Sequence, residues 1–299
     1  MTDHVLTLAD GRDLGFDDVG DAHGVPVLFV HGSPDSARAR HPDDAIAADL
    51  GVRLVAVDRP GSGRSTVHAT GTVGSFADDA IALADHLGID RWRPFGWSAG
   101  APFALAVAAR HPERVERVAI AAGLVPFEAY ATPGILDGAD GGRHLVAELG
   151  ADLGPAGLAD AAAPMLAPIP CDLALAREFL LETADPARRA ILDAIPGALE
   201  AMAEGVVDAV AQGDGGLRRD LELQVEPPDV AWSDATCPVD LWYGAHDTTA
   251  PPAFGAWWAD HLTAAELTVE PTEGHLIALT RWQPILARLV DPSRVVRRR

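Results

Sequence analysis

Residues 91–112 read "RWRPFGWSAGAPFALAVAARHP", and the five letters at their centre, Gly96-Trp97-Ser98-Ala99-Gly100, decide the fold. Before them stands a short apolar run with the length of a strand. After them stands an alanine-rich run with the length and composition of a helix, and Pro102 sits in its first turn, where a missing N–H costs little. A serine held between two glycines at a strand-to-helix junction marks a turn too tight for side chains on either flank. Gly96 and Gly100 leave room for the close approach, the serine hydroxyl stands clear of the backbone, and the helix start offers free N–H groups and a positive field to a developing oxyanion.

Working outward, the same alternation repeats. "HVLTLA" and "DLGFDDVG" predict two strands joined by a turn at Asp10-Gly11. "VPVLFVHG" (25–32) and "VRLVAVDRPG" (52–61) are continuous apolar runs suited to buried strands, and "RVERVAIAAGL" (114–124) gives a further strand. Between them, "DDAIAADLG" reads as a helix ending near Gly51. "SFADDAIALADHLGI" (75–89) reads as an amphipathic one, with Phe76, Ala80, Leu83 and Leu87 on one face. Residues 126–233 break the pattern: they are rich in Ala, Leu, Pro, Gly and acid, with helical pieces over "CDLALAREFLLETAD" and "PARRAILDAIPGALEAMAEGVVDAV" and no good strand. Strand-helix alternation resumes at "CPVDLWYGAHD" (237–247), a helix "PAFGAWWADHL", a strand in "AELTVEPTEGH" (265–275) and a last helix "LIALTRWQPILARLV". The class is α/β with a mostly parallel sheet. The division predicted is a core of residues 1–125 and 234–299 carrying a helical insertion, 126–233, as a lid over the strand ends.

Composition bounds the function. The 299 residues carry a net charge of −21, are 48% hydrophobic and 22% charged, and contain arginine but no lysine. So acidic a surface repels nucleic acid and anionic membranes. No run has the length of a membrane span and the start is polar, so a cytoplasmic protein, monomer or homodimer, is expected. The dense basic run "RVVRRR" at the end reads as a solvated tail. Cys171 and Cys237 lack the spacing of a disulfide framework or a zinc site. No phosphate-binding loop, dinucleotide fingerprint or His-Glu-x-x-His run occurs, so neither metal nor organic cofactor is expected.

Ligands of such a sheet bind at the carboxyl ends of its strands, and the remaining candidates sit there. A serine hydroxyl needs a base, and the base an orienting acid. His275 follows the last predicted strand and Asp247 follows the one before it, giving the chain order Ser98, Asp247, His275. The rival position for the acid, after the fourth core strand, reads Ala121-Ala122-Gly123-Leu124 and offers no carboxylate. His261 is expected on an exposed helix face and Glu273 in solvent. Two oxyanion donors are assigned, the N–H of Ala99 and the N–H of Ser33 in the loop His31-Gly32-Ser33-Pro34, with His31 structural. An apolar pocket between sheet and insert is expected, with Gly32, Trp97, Phe127, Leu136, Met165, Phe179 and Met202 as candidate lining residues; packing within the insert or against the sheet is the competing role for the large side chains.

Together "HGSPDS", "DRPGSGRS", "GWSAGAPFALAVA", "GAHDTTAP" and "EGHL" resemble the α/β-hydrolase superfamily over nearly the whole chain. The resemblance implies an eight-stranded, mostly parallel sheet flanked by helices, a helical cap after the sixth strand, and the triad and oxyanion roles just given. In "DRPGSGRS" it implies a structural use for Asp58, Arg59, Gly61 and Gly63. The "HG-x-P" opening resembles the branch that contains epoxide hydrolases, haloalkane dehalogenases, proline iminopeptidases and small-ester hydrolases. The first two use an aspartate nucleophile where this chain has serine. The expected activity is carboxylic-ester or lactone hydrolysis on a small molecule through an acyl-serine. The same triad serves iminopeptidases, carbon–carbon bond hydrolases and perhydrolases, and a ligand-binding receptor or inactive scaffold is the reading of another class. An iminopeptidase needs insert acids for a free amine, from among Glu128, Asp137, Glu148, Glu178, Glu182, Glu200 and Glu204, and its "HGGPG" run is "HGSPD" here.

Overall fold

The continuous apolar runs pair in parallel at the centre of one sheet. The structure, a computed structural model, describes residues 4–166 and 169–291; the basic run at 294–299 lies outside the described residues. Strands β3 (Val25–Val30), β4 (Val52–Val57), β5 (Arg93–Trp97), β6 (Val118–Ala121), β7 (Val239–Gly244) and β8 (Ala265–Glu270) are mutually parallel. The hairpin of β1 (His4–Thr7) and β2 (Asp13–Gly20) joins β4 antiparallel at one edge, giving the order β1-β2-β4-β3-β5-β6-β7-β8.

The flanking helices follow from which residues the strands turn to each face. On β5, Phe95 packs on Trp282 of α11 (Trp282–Val290), whereas a Cβ on the next residue, Gly96, would meet Ala104 of α3 (Ala101–Arg110). Thus α11, with α1 (Ala45–Asp49) beside it, covers one face. Helices α2 (Val73–His86) and α3 cover the other, where Phe76 meets Phe103 edge-on. Helix α9 (Pro252–His261) lies against β7 and β8, and its buried Trp258 donates to the Leu124 carbonyl.

The strand order reverses at β3, which has β4 on one side and β5 on the other. Their connections leave in opposite directions, so a crevice opens past the carboxyl ends of β3 and β5. The loop after β3 begins at His31, and the turn after β5 begins at Ser98.

Between β6 and β7 no strand occurs among the described residues. Five helices fill the interval: α4 (Gly141–Leu166), broken at Gly154, α5 (Leu173–Thr183), α6 (Pro186–Ala194), α7 (Ala198–Ala209) and α8 (Gly215–Leu223). Two predicted helices divide. The run 186–210 splits at Ile195–Gly197, where Pro196 removes an N–H and Gly197 adopts φ 83°. The last splits at Arg281 into α10 (Ile277–Thr280) and α11. No helix among the described residues is long and apolar enough to cross a membrane. Cys171 is exposed; Cys237 is half-buried, its thiol pushed up to about 11 by burial.

Candidate active site

The turn after β5 is as tight as its glycines require. Ser98 has φ 54°, a left-handed conformation that costs a non-glycine residue about 1–3 kcal/mol. A Cβ on Gly100 would stand 2.2 Å from the Val30 carbonyl oxygen. One on Gly96 would stand 2.8 Å from the Gly100 carbonyl oxygen. The strain therefore comes from wedging the turn against β3, and it delivers the Ser98 side chain to the crevice.

The loops after β7 and β8 complete the arrangement. Ser98 Oγ lies 3.0 Å from His275 Nε2, and His275 Nδ1 lies 2.8 Å from Asp247 Oδ2. The carboxylate accepts the Nδ1 proton, so Nε2 is left to accept from the serine hydroxyl. Asp247 is wholly buried, and its other oxygen accepts from the N–H groups of Thr249 at 2.8 Å and Ala250 at 2.9 Å. Trp97 Nε1 donates to the His275 carbonyl at 3.1 Å, which ties the histidine loop to the serine turn.

The loop after β3 is held from behind. His31 is fully buried, and burial pushes its imidazole well below the usual range, so the ring is neutral. Its Nε2 accepts from the Arg59 N–H at 2.9 Å, so Nδ1 carries the proton and donates to the Gly32 carbonyl at 2.7 Å. Arg59 Nη2 donates to the same carbonyl at 2.7 Å, and Nε to the His31 carbonyl at 3.1 Å. In a trans peptide the C=O and the following N–H point opposite ways. Two donors drawing the Gly32 carbonyl backward therefore turn the Ser33 N–H away from Arg59. The guanidinium is anchored by Asp220 of α8, at 2.5 and 2.8 Å, and lies 4.8 Å from the Phe103 ring centre. Sequence reading found Arg59 at a strand end but missed Asp220, 161 residues away in an insert helix.

Two cavities meet at Ser98 and His275. One, of about 140 Å³, is lined by Gly32, Trp97, Phe179, Leu192, Met202 and Val206 among others. The second, of about 290 Å³, contains Ser33, Ala99, Leu217, Gln224 and Thr249, with the guanidinium-bearing Arg143 and Arg188. Of the predicted lining residues, Gly32, Trp97, Phe179 and Met202 stand here. Phe127, Leu136 and Met165 do not. Phe127 packs in a separate cluster with Val146 and Val225, Leu136 lies against the main core, and Met165 is 63% exposed near the end of α4. Glu273 is not in solvent either: it pairs with Arg281 at 3.0 Å and accepts from Thr280 at 2.6 Å. His261 is exposed and stacked on Trp257.

A sheet whose strand-order switch carries a strained serine hydrogen-bonded to a histidine, and that histidine to a carboxylate, is the frame of a hydrolase. Residues 25–141 match the family model described as alpha/beta hydrolase fold. Proline iminopeptidase of Xylella fastidiosa (strain 9a5c) is 36% identical over 124 residues, which are 39% of this chain and only 38% of that protein. Among solved structures, an alpha/beta hydrolase fold protein from Nakamurella multipartita is 26% identical, with 97% and 99% of the two chains covered and a TM-score of 0.63. A thermophilic esterase from Thermogutta terrifontis is 23% identical, with 96% of each chain covered and a TM-score of 0.60. The family-model match takes in less than half of the chain; with the eight-stranded sheet and its flanking helices it shows the α/β-hydrolase fold.

Proposed function

We propose that the protein is a serine hydrolase that cleaves a small carboxylic ester or lactone. The observation that carries the reading is the continuous hydrogen-bonded line from Ser98 Oγ through His275 to Asp247. In this reading Ser98 attacks the carbonyl carbon while His275 Nε2 takes the hydroxyl proton. Asp247 holds the imidazole in the correct tautomer and stabilises its charged form. The N–H groups of Ser33 and Ala99 receive the oxyanion, which collapses to an acyl-serine as His275 returns the proton to the leaving alcohol. Water activated by His275 then releases the acid. Residues 126–233 act as the lid, because their helices wall both cavities beside the serine.

The iminopeptidase reading has support from the Xylella fastidiosa relative, but that match covers 39% of the chain, a share too small to take in both the serine turn and the insert that shapes the pocket. An amine-binding site needs uncompensated acid. Asp220, lining the second cavity, is already neutralised by Arg59, and burial pushes the carboxyl of Asp35, lining the first, well above the usual range and so toward its uncharged form. A binding protein without turnover would have no use for a strained serine aligned on a histidine that a buried carboxylate orients.

The test uses short-chain p-nitrophenyl esters and a fluorophosphonate probe. The wild-type chain is expected to turn over the esters and to be labelled once, at Ser98, and Ser98→Ala is expected to do neither. Tight ligand binding without labelling would defeat the hydrolase reading, and release of proline from prolyl amides faster than acid from esters would replace it with the peptidase one.

A further inference from the structure

The second cavity carries charge of the opposite sign to the protein as a whole. In a chain of net charge −21, most arginines among the described residues are matched by carboxylates, as Arg12 is by Asp79 and Arg117 by Asp240. Arg143 is not. Among the described residues no carboxylate lies within salt-bridge distance of its side chain. Its guanidinium meets neutral partners only: Nη1 donates to Gln224 at 2.9 Å and the Tyr130 hydroxyl is a second hydrogen-bond neighbour, while Nε is buried with no hydrogen-bond partner. A buried N–H without an acceptor is a penalty that a native site carries only where something else supplies one.

Arg188 faces the same cavity from α6. Its Nη2 donates to Thr249 Oγ1 at 2.9 Å, and its one carboxylate neighbour, Asp185, is exposed and 3.6 Å away. Thr249 also donates to Asp140, so the hydroxyl steers the guanidinium without neutralising it. Asp220, the acid on this cavity wall, is consumed by its two bonds to Arg59. The other cavity at Ser98 has an apolar wall of Phe179, Leu180, Leu192, Met202 and Val206; Arg188 stands at the boundary and lines both cavities, and Asp35 lines this one from the loop after β3.

We infer that the substrate carries a carboxylate, held in the second cavity by Arg143 and Arg188, with an apolar arm in the first and the scissile carbonyl between them at Ser98. The planar guanidinium fork suits a carboxylate, and the unpartnered Arg143 Nε supplies the donor it would engage. The inference rests on the hydrolase reading only for which bond is cut; the anion subsite stands on the cavity itself.

Two isosteric ester pairs test it: monomethyl glutarate against methyl 5-methylhexanoate, and 4-acetoxybenzoate against 4-isopropylphenyl acetate. They place the carboxylate on the acyl and the alcohol side in turn, and each rate is divided by its hydroxide-catalysed rate. In at least one pair the wild-type kcat/KM ratio of anion to neutral ester is expected to be about tenfold or more, the size of charged hydrogen bonds. It is expected to fall at least fivefold in both Arg143→Gln and Arg188→Gln. In parallel, calorimetry on Ser98→Ala measures 4-acetamidobenzoate against 4-isopropylacetanilide, amides that report binding alone. The carboxylate is expected to bind more tightly, and the difference to vanish when either arginine is also replaced by Gln. If no ester is cleaved but this binding preference holds, the hydrolase reading falls and the subsite stands. Absence of a carboxylate preference in both arms, or a preference indifferent to both substitutions, overturns the inference.

Discussion

Replacing Asp220 by Asn is expected to damage both the fold and the reaction from a residue that touches no part of the Ser98–His275–Asp247 line. The Arg59 side chain is 2% exposed and the Asp220 side chain 11%, so the pair is effectively out of water. Breaking a buried pair by removing one charge costs about 3–5 kcal/mol, because the other charge stays buried without compensation. At about 2–4 °C per kcal/mol for a large domain, the melting temperature should fall by roughly 6–20 °C. The catalytic effect has a different origin. Arg59 draws the Gly32 carbonyl backward and so turns the Ser33 N–H, the oxyanion donor of the proposed mechanism, away from itself. An oxyanion donor acts on the transition state, so a loosened loop should lower kcat more than it raises KM, by up to about 100-fold if one donor is largely lost. Thermal unfolding and ester kinetics of Asp220→Asn, Arg59→Met and the double variant measure both effects. The double variant should be less destabilised than the two singles summed, by about 2 kcal/mol or more. Stability within 1 kcal/mol of wild type for Asp220→Asn, with kcat retained, would refute the reasoning.

Three further outcomes follow from the same geometry. Asp247→Asn is expected to keep the fold but lower kcat about 10⁴-fold in ester hydrolysis, since the amide no longer fixes the His275 tautomer. Gly100→Ala drives a Cβ to 2.2 Å from the Val30 carbonyl oxygen, and a stability loss of about 3 kcal/mol or more should appear in thermal melts. Burial pushes the Asp35 carboxyl well above the usual range, and its Oδ1 has no hydrogen-bond partner. Its contribution to stability is therefore complete below the unfolded value of about 3.9 and lost as pH rises through the folded one. Melting curves of Asp35→Asn should match wild type near pH 4 and run increasingly above it toward pH 8.

What the sequence disclosed and what it withheld divide along a physical line. Strands β3 to β6 are short apolar runs closed by Gly or Pro, and a parallel strand buried on both faces leaves that trace wherever it occurs. Ser98, Asp247 and His275, which the structure brings into one hydrogen-bonded line, stand just past β5, β7 and β8, and position at a strand end is a local property. The insert leaves no comparable trace. Its alanine-rich helices bury small faces, so composition did not distinguish Phe179 and Met202, which line the cavity, from Phe127 and Met165, which do not. The pairs Arg59–Asp220 and Ser36–Asp208 join residues more than 160 positions apart. Only the packing of α7 and α8 against the loops after β3 and β4 brings them together, and no period in the sequence encodes it. Glu273 was misjudged for a local reason: its partner Arg281 sits at the break that divides the last helix, and the sequence showed one continuous helix there.

These contacts also bear on how chemistry and selectivity divide in the chain. In the proposed mechanism the reacting groups come from strand ends of the sheet, and most of the pocket wall comes from the helices between β6 and β7. That would assign kcat to one part and KM to the other if the two merely faced each other. They do not: Asp208 of α7 accepts from Ser36 Oγ at 3.0 Å, its carbonyl accepts from the Gly63 N–H at 2.9 Å, and Asp220 of α8 holds the arginine that orients the Gly32–Ser33 peptide. A Cβ on Gly205 of α7 would stand 2.0 Å from Asp35 Oδ1, so that helix lies directly on the loop after β3. Helices α7 and α8 thus both line the cavities and support the loop after β3, the oxyanion loop of the proposed mechanism, while α5 and α6 supply pocket surface. Substitutions on α5 and α6 should then alter which ester is preferred, whereas substitutions at the α7 and α8 anchors should lower kcat for every ester alike.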